Sequence, residues 1–168
     1  VSIIVAVSNH LGMAIGSDSR AVFDSGMIVA DGVQKVKVDH EGGYAIGACG
    51  SLGAAQRALA SLVPLGSEHG ALRFGGEVPS EASGAVALRT GKRSGQLWTF
   101  CADGSTVKHN RPFVCVGAGD AYAMAAIDTA IALLPKSKQD PAALVRIGLK
   151  AACKFNNTCG GKLQVYTL

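Results

Sequence analysis

Residues 1–20 read Val1-Ser2-Ile3-Ile4-Val5-Ala6-Val7-Ser8-Asn9-His10-Leu11-Gly12-Met13-Ala14-Ile15-Gly16-Ser17-Asp18-Ser19-Arg20, and this stretch decides the fold. Val1 to Val7 are β-branched or small and apolar, apart from the hydroxyl of Ser2. Such a run suits a strand buried on both faces, and buried strands rarely sit at a free terminus. Asn9-His10-Leu11-Gly12 carries turn chemistry, and Met13-Ala14-Ile15-Gly16 starts a second apolar run that ends at Ser17-Asp18-Ser19. Two short strands around a turn predict a hairpin, and the hairpin returns Asp18 to the side of Ser2. A hydroxyl at the start of a buried strand, with a carboxylate delivered beside it, marks a candidate site.

Working outward, Arg20 to Ile28 reads as irregular structure with short extended pieces. Asp31-Gly32 is a turn, and Val33 to Val38 alternates apolar and polar residues as a half-buried strand does. Lys35 is then, by its pattern alone, a surface charge on that strand. A turn over Asp39-Gly43 leads to a strand at Tyr44–Cys49. Ser51 caps a helix from Leu52 to about Val63, with Leu52, Ala55, Leu59 and Leu62 at helical spacing. Leu65 to Ser83 loses all pattern and reads as a loop with at most one helical turn. Strands are predicted at 84–88, 96–101, 105–109 and 112–116. A helix follows from Ala121 to about Leu134, and Asp140-Pro141, an N-cap with proline at the first helical position, opens another that ends near Phe155. Residues 163–168 form a closing strand. Strands and helices that come in blocks predict an antiparallel α+β protein in which two face-to-face sheets carry helices outside.

Composition narrows the function classes. The chain has 168 residues, 48% of them hydrophobic, 17% charged and 22 of them glycine, as expected of one compact, strand-rich domain spanning 1–168. Sixteen basic against twelve acidic residues give +4, with no basic run longer than Lys92-Arg93, which argues against nucleic-acid binding. Five scattered cysteines without a C-x-x-C, and His10, His40, His69 and His109 without paired spacing, predict neither a disulfide framework nor a zinc site. The apolar start is too short for a signal peptide, and no run of eighteen apolar residues predicts a membrane span. The expected setting is a reduced cytoplasm. Val116-Gly117-Ala118-Gly119-Asp120 imitates a dinucleotide fingerprint. Two helices without an intervening strand follow it, and Asp120 sets a carboxylate where a phosphate would go, so no cofactor is expected.

Four features form one chemical kit: Ser2, Asp18, Lys35 and the Ala48-Cys49-Gly50-Ser51 turn into a helix. A hydroxyl nucleophile needs a base, and a free α-amine serves because it titrates near neutrality. A lysine favours the neutral amine, an aspartate orients the lysine, and a backbone N–H at a helix start stabilises an oxyanion.

Together, Ser2-Ile3-Ile4-Val5-Ala6-Val7, Gly16-Ser17-Asp18-Ser19, Val33-Gln34-Lys35-Val36, Ile46-Gly47-Ala48-Cys49-Gly50, the Val116–Ala123 turn and the Asn156–Gly161 loop resemble the N-terminal nucleophile (Ntn) hydrolases of the proteasome β-subunit and HslV type. The resemblance implies a four-layer αββα sandwich, two antiparallel sheets flanked by helices. It implies a self-compartmentalising peptidase: a homo-oligomeric ring, peptide or unfolded-protein substrates and an ATP-dependent unfoldase as partner. Carried over by position, Ser2 is the nucleophile in place of the family's threonine, Asp18 and Lys35 are its charged partners, and Gly50 lines the oxyanion hole. Ala21, Val33, Ala48 and Leu52 shape a small apolar substrate pocket. The departures are as specific. Ala118 stands where many members have a serine, Asn156 and Cys159 replace an aspartate and a serine, and no second helix is visible between Leu65 and Ser83. Val1 must be removed to free the Ser2 amine, which fits an initiator codon read literally. A catalytically inactive ring subunit is the alternative.

Overall fold

The computed structural model describes residues 2–22 and 27–168. Its first two strands are the expected hairpin: β1 (Ile3–Asn9) and β2 (Gly12–Ser17) pair antiparallel, with Ile4 opposite Ser17 and Asn9 opposite Gly12. β3 (Ala21–Val22) and β4 (Ile28–Ala30) form a two-stranded arm, and Phe23–Gly26, part of the stretch read as irregular, lie outside the described residues. β5 (Val36–Asp39) and β6 (Tyr44–Gly50) precede α1 (Leu52–Ser61), whose cap Ser51 accepts from the Ala54 amide at 3.4 Å.

The strand predicted from Val33 begins only at Val36, so Lys35 is not a surface charge on a strand but a buried residue just ahead of one. The stretch read as a loop holds a hairpin instead, β7 (Pro64–Glu68) and β8 (Ala71–Phe74). Its turn, His69-Gly70, has positive φ at both residues (51° and 80°), the conformation that matches hairpin twist. Alternation is invisible here because only Leu72 of the hairpin is fully buried.

The remaining elements lie within a few residues of expectation. They are β9 (Ala82–Arg89), β10 (Gly95–Phe100), β11 (Thr106–His109), β12 (Phe113–Gly117), α2 (Asp120–Leu133), α3 (Pro141–Phe155) and β13 (Gln164–Thr167). A single 3-10 turn, Lys136–Lys138, bridges α2 and α3, and Asp140 caps α3 by accepting from the Ala143 amide at 2.8 Å.

One sheet runs β12-β1-β2-β13 and the other β11-β10-β9-β6-β5, all antiparallel. The period of two along β1 explains the layering. Ile3, Val5 and Val7 pack beneath α2 and α3, while Ile4 and Ala6 point the other way, between the sheets, against Ala45, Ala85 and Leu97. On the far face, Ile46, Val86, Trp98 and Phe100 are covered by α1 and Leu72. The result is an αββα sandwich with β1 buried on both faces, and every β1 residue from Ile3 to Val7 has zero exposure. Among the described residues no helix is long and apolar enough to cross a membrane.

Candidate active site

The site lies at the end of the sandwich where β1 and β5 begin and where β2 and β6 end. Asp18 directly follows β2 and is fully buried, which demands partners for its carboxylate. Oδ1 accepts from the Ile3 amide at 3.1 Å and from Lys35 Nζ at 2.9 Å, and Oδ2 accepts from the Gly160 amide at 3.0 Å. Lys35, 3% exposed, also donates to the Arg20 carbonyl. An ammonium has three donors, so one remains for the cavity that Lys35 lines. The backbone of Lys35 is tied to β6 through the Ala48 amide, which donates to its carbonyl at 3.0 Å.

Ser2 sits 7% exposed beside this pair. Its carbonyl accepts from the Ala118 amide at 2.8 Å, and the next amide, that of Ile3, is the one held by Asp18. The Ser2–Ile3 peptide is therefore fixed at both its polar groups. Gly117, where a Cβ would fall 2.0 Å from the Ser2 carbonyl oxygen, makes that approach possible.

A cavity of about 600 Å³ opens in front of Ser2, lined by Lys35, Gly50 and three residues of the expected substrate pocket, Ala21, Val33 and Leu52. Gly50 takes φ +124°, where a side chain would be strained and a Cβ would stand 1.9 Å from the Glu81 carbonyl oxygen. Ala48 does not line the cavity. Along β6 it shares the face of Tyr44 and Ile46 and is fully buried beneath α1, a correction to the expected pocket.

Several residues of the site went unread. Val22, Val29, Gln34, Gln56 and Glu81 also line the cavity, and Gln164 Oε1 accepts from Ser17 Oγ at 3.4 Å and the Lys35 amide at 3.5 Å. The Gly160-Gly161 pair signals a close backbone approach, but nothing in the sequence says that Asp18 is what approaches. Asn156 is occupied locally, accepting from the Thr158 amide at 3.0 Å and the Thr158 hydroxyl at 2.6 Å. Buried Cys159 donates to the Ala118 carbonyl at 2.9 Å, and burial pushes its thiol up to about 12. Cys49, bonded to Ser83 Oγ at 3.4 Å, is likewise raised by burial, so both thiols stay protonated and unreactive near neutrality.

Many solved structures share this architecture, among them the three that follow. BPH of Thiobacillus denitrificans in complex with epoxomicin superposes with a TM-score of 0.75 at 20% identity, over 99% of this chain and 97% of that one. HslV of Trypanosoma brucei gives 0.74 at 14% identity, over 99% and 98%. A further structure of the Thiobacillus protein gives 0.72 at 20% identity, over 99% and 97%. The chain thus has the Ntn-hydrolase fold that its sequence resembles. No family model and no curated protein matches it.

Proposed function

We propose that the protein is a self-compartmentalising peptidase subunit in which Ser2, once residue 1 is removed, is the nucleophile. The observation that carries this is the fixation of the Ser2–Ile3 peptide by Ala118 and Asp18, with Lys35 bound to the same carboxylate.

In this mechanism Ser2 Oγ attacks the scissile carbonyl and passes its proton to the Ser2 α-amine, which is neutral in large part near pH 8. The Lys35 ammonium, oriented by Asp18, favours the neutral amine. The Gly50 amide receives the developing oxyanion, a donor typically worth ~3 kcal/mol of transition-state stabilisation. The amine then returns the proton to the leaving nitrogen, the C–N bond breaks, and water hydrolyses the Ser2 ester. Ala21, Val33 and Leu52 line the substrate pocket. Subunits assemble as a homo-oligomeric ring that encloses the site, takes peptides or unfolded chains and works in the cytoplasm beside an ATP-driven unfoldase.

The test is at the terminus. Intact mass should lack residue 1, and epoxomicin, with which the Thiobacillus protein was solved, should add to Ser2. Ser2→Ala should abolish labelling and peptide turnover together, while Ser2→Thr should keep both, its methyl restricting the rotamer. A chain that retains residue 1, cleaves nothing and resists the electrophile is the inactive ring subunit instead. One observation favours that second reading: Ala118 offers the site only its backbone, and Cys159 and Asn156 are bonded elsewhere.

A further inference from the structure

The cavity lining divides into apolar walls and a polar edge. Val22, Val29, Val33 and Leu52 give it apolar walls. Gln34 donates its side-chain amide to the Val36 carbonyl at 3.0 Å, and Gln56 donates its own to the Gln34 carbonyl at 3.1 Å. One N–H of each amide is engaged in this way, and both glutamines have acceptor oxygens to offer. Glu81 lines the same space, its carbonyl against Gly50, and among the described residues its carboxylate has no ion-pair partner. The one cation in the lining, Lys35, has its charge paired with Asp18 and a second donor on the Arg20 carbonyl, which leaves a single donor for the cavity.

An apolar shaft whose lining includes two glutamines and one acidic residue, without an ion pair among the described residues, suits a side chain with an aliphatic stem and a cationic tip. We propose that the cavity takes the side chain of a substrate lysine or arginine, with Glu81 as the specificity-determining carboxylate. The methylene stem lies against the valines, and the charge lies among Glu81 and the two glutamine oxygens. An acidic side chain is repelled there. This deepens the peptidase reading and rests on it for the meaning of the cavity, but the choice of side chain can be read without turnover.

The experiment uses the assembled Ser2→Ala protein and fluorescence-polarisation competition with acetyl-Ala-Ala-X-amide peptides, where X is arginine, norleucine or glutamate. Arginine should bind about fivefold tighter than norleucine, the effect of one partly exposed ion pair, and glutamate weakest. The arginine preference should shrink in 0.5 M salt, vanish in Glu81→Gln and reverse toward glutamate in Glu81→Lys. An arginine peptide that binds no better than norleucine, absence of binding included, overturns the inference. So does a preference that survives Glu81→Gln. Turnover by the wild-type protein is scored separately. Arginine-selective binding without cleavage sinks the peptidase reading alone, and cleavage without arginine preference sinks this inference alone.

Discussion

Asp18 accepts from Ile3, Lys35 and Gly160, so a fully buried carboxylate is satisfied on both oxygens. Removing Lys35 leaves that charge unpaired in the interior, which typically costs about 3–5 kcal/mol. Lys35→Ala should therefore lower stability by that order in urea denaturation and also abolish peptide turnover. Replacing both members, as Lys35→Met with Asp18→Asn, removes the stranded charge and should recover much of the stability without recovering activity. Near wild-type turnover in Lys35→Ala would reduce the pair to a structural ion pair.

At the scale of elements, the β7–β8 hairpin depends on few anchors. Leu72 is 4% exposed against the cluster of Trp98 and Phe100, and its amide donates to Thr106 Oγ1 at 2.9 Å. Leu72→Ala should cost about 2–5 kcal/mol, the usual range for a buried leucine. Hydrogen exchange should show β7 and β8 losing protection while β9 and β10 keep theirs. Equal loss across the whole second sheet would mean that the hairpin is integral to it.

For the whole molecule, assembly and alkaline stability are the measurable quantities. The ring proposed above predicts sedimentation well beyond the 17.1 kDa chain, and a stable monomer at micromolar concentration would refute it. Exposed Leu133 and Phe155, at 77% and 60%, give the outer helix layer apolar surface that a lone subunit leaves in water. Burial, the larger cause in each case, pushes the Cys115 and Cys159 thiols up to about 12. An unfolded thiol ionises at about pH 8.5, so above that the unfolded state releases protons that the folded state keeps. The stability these thiols contribute is full below the unfolded value and is lost as pH rises through the folded one. Melting temperature should thus fall between about pH 9 and pH 12, and fall less in a Cys115→Ala/Cys159→Ala double variant.

Much of this protein is legible in local chemistry. The apolar run of β1, the Asn9–Gly12 turn, the Ser51 and Asp140 caps and the glycine turn before α2 all follow from periodicity and capping, which act over a few residues. So does the proximity of Asp18 to Ser2, because a two-strand hairpin closes it. Other features depend on neighbours far away in the chain. Lys35 reads as a surface charge until β2 brings Asp18 to it, and Ala48 reads as pocket until the pleat of β6 turns it beneath α1. The hairpin at 64–74 gives little alternation because it rests on the sandwich through Leu72 and Phe74 alone among its large apolar side chains. Glu81 and Gly160 join the site only through β9 and the loop after α3. Burial and pairing at such sequence distances are set by how the two sheets stack, and no local pattern encodes which residue will meet which.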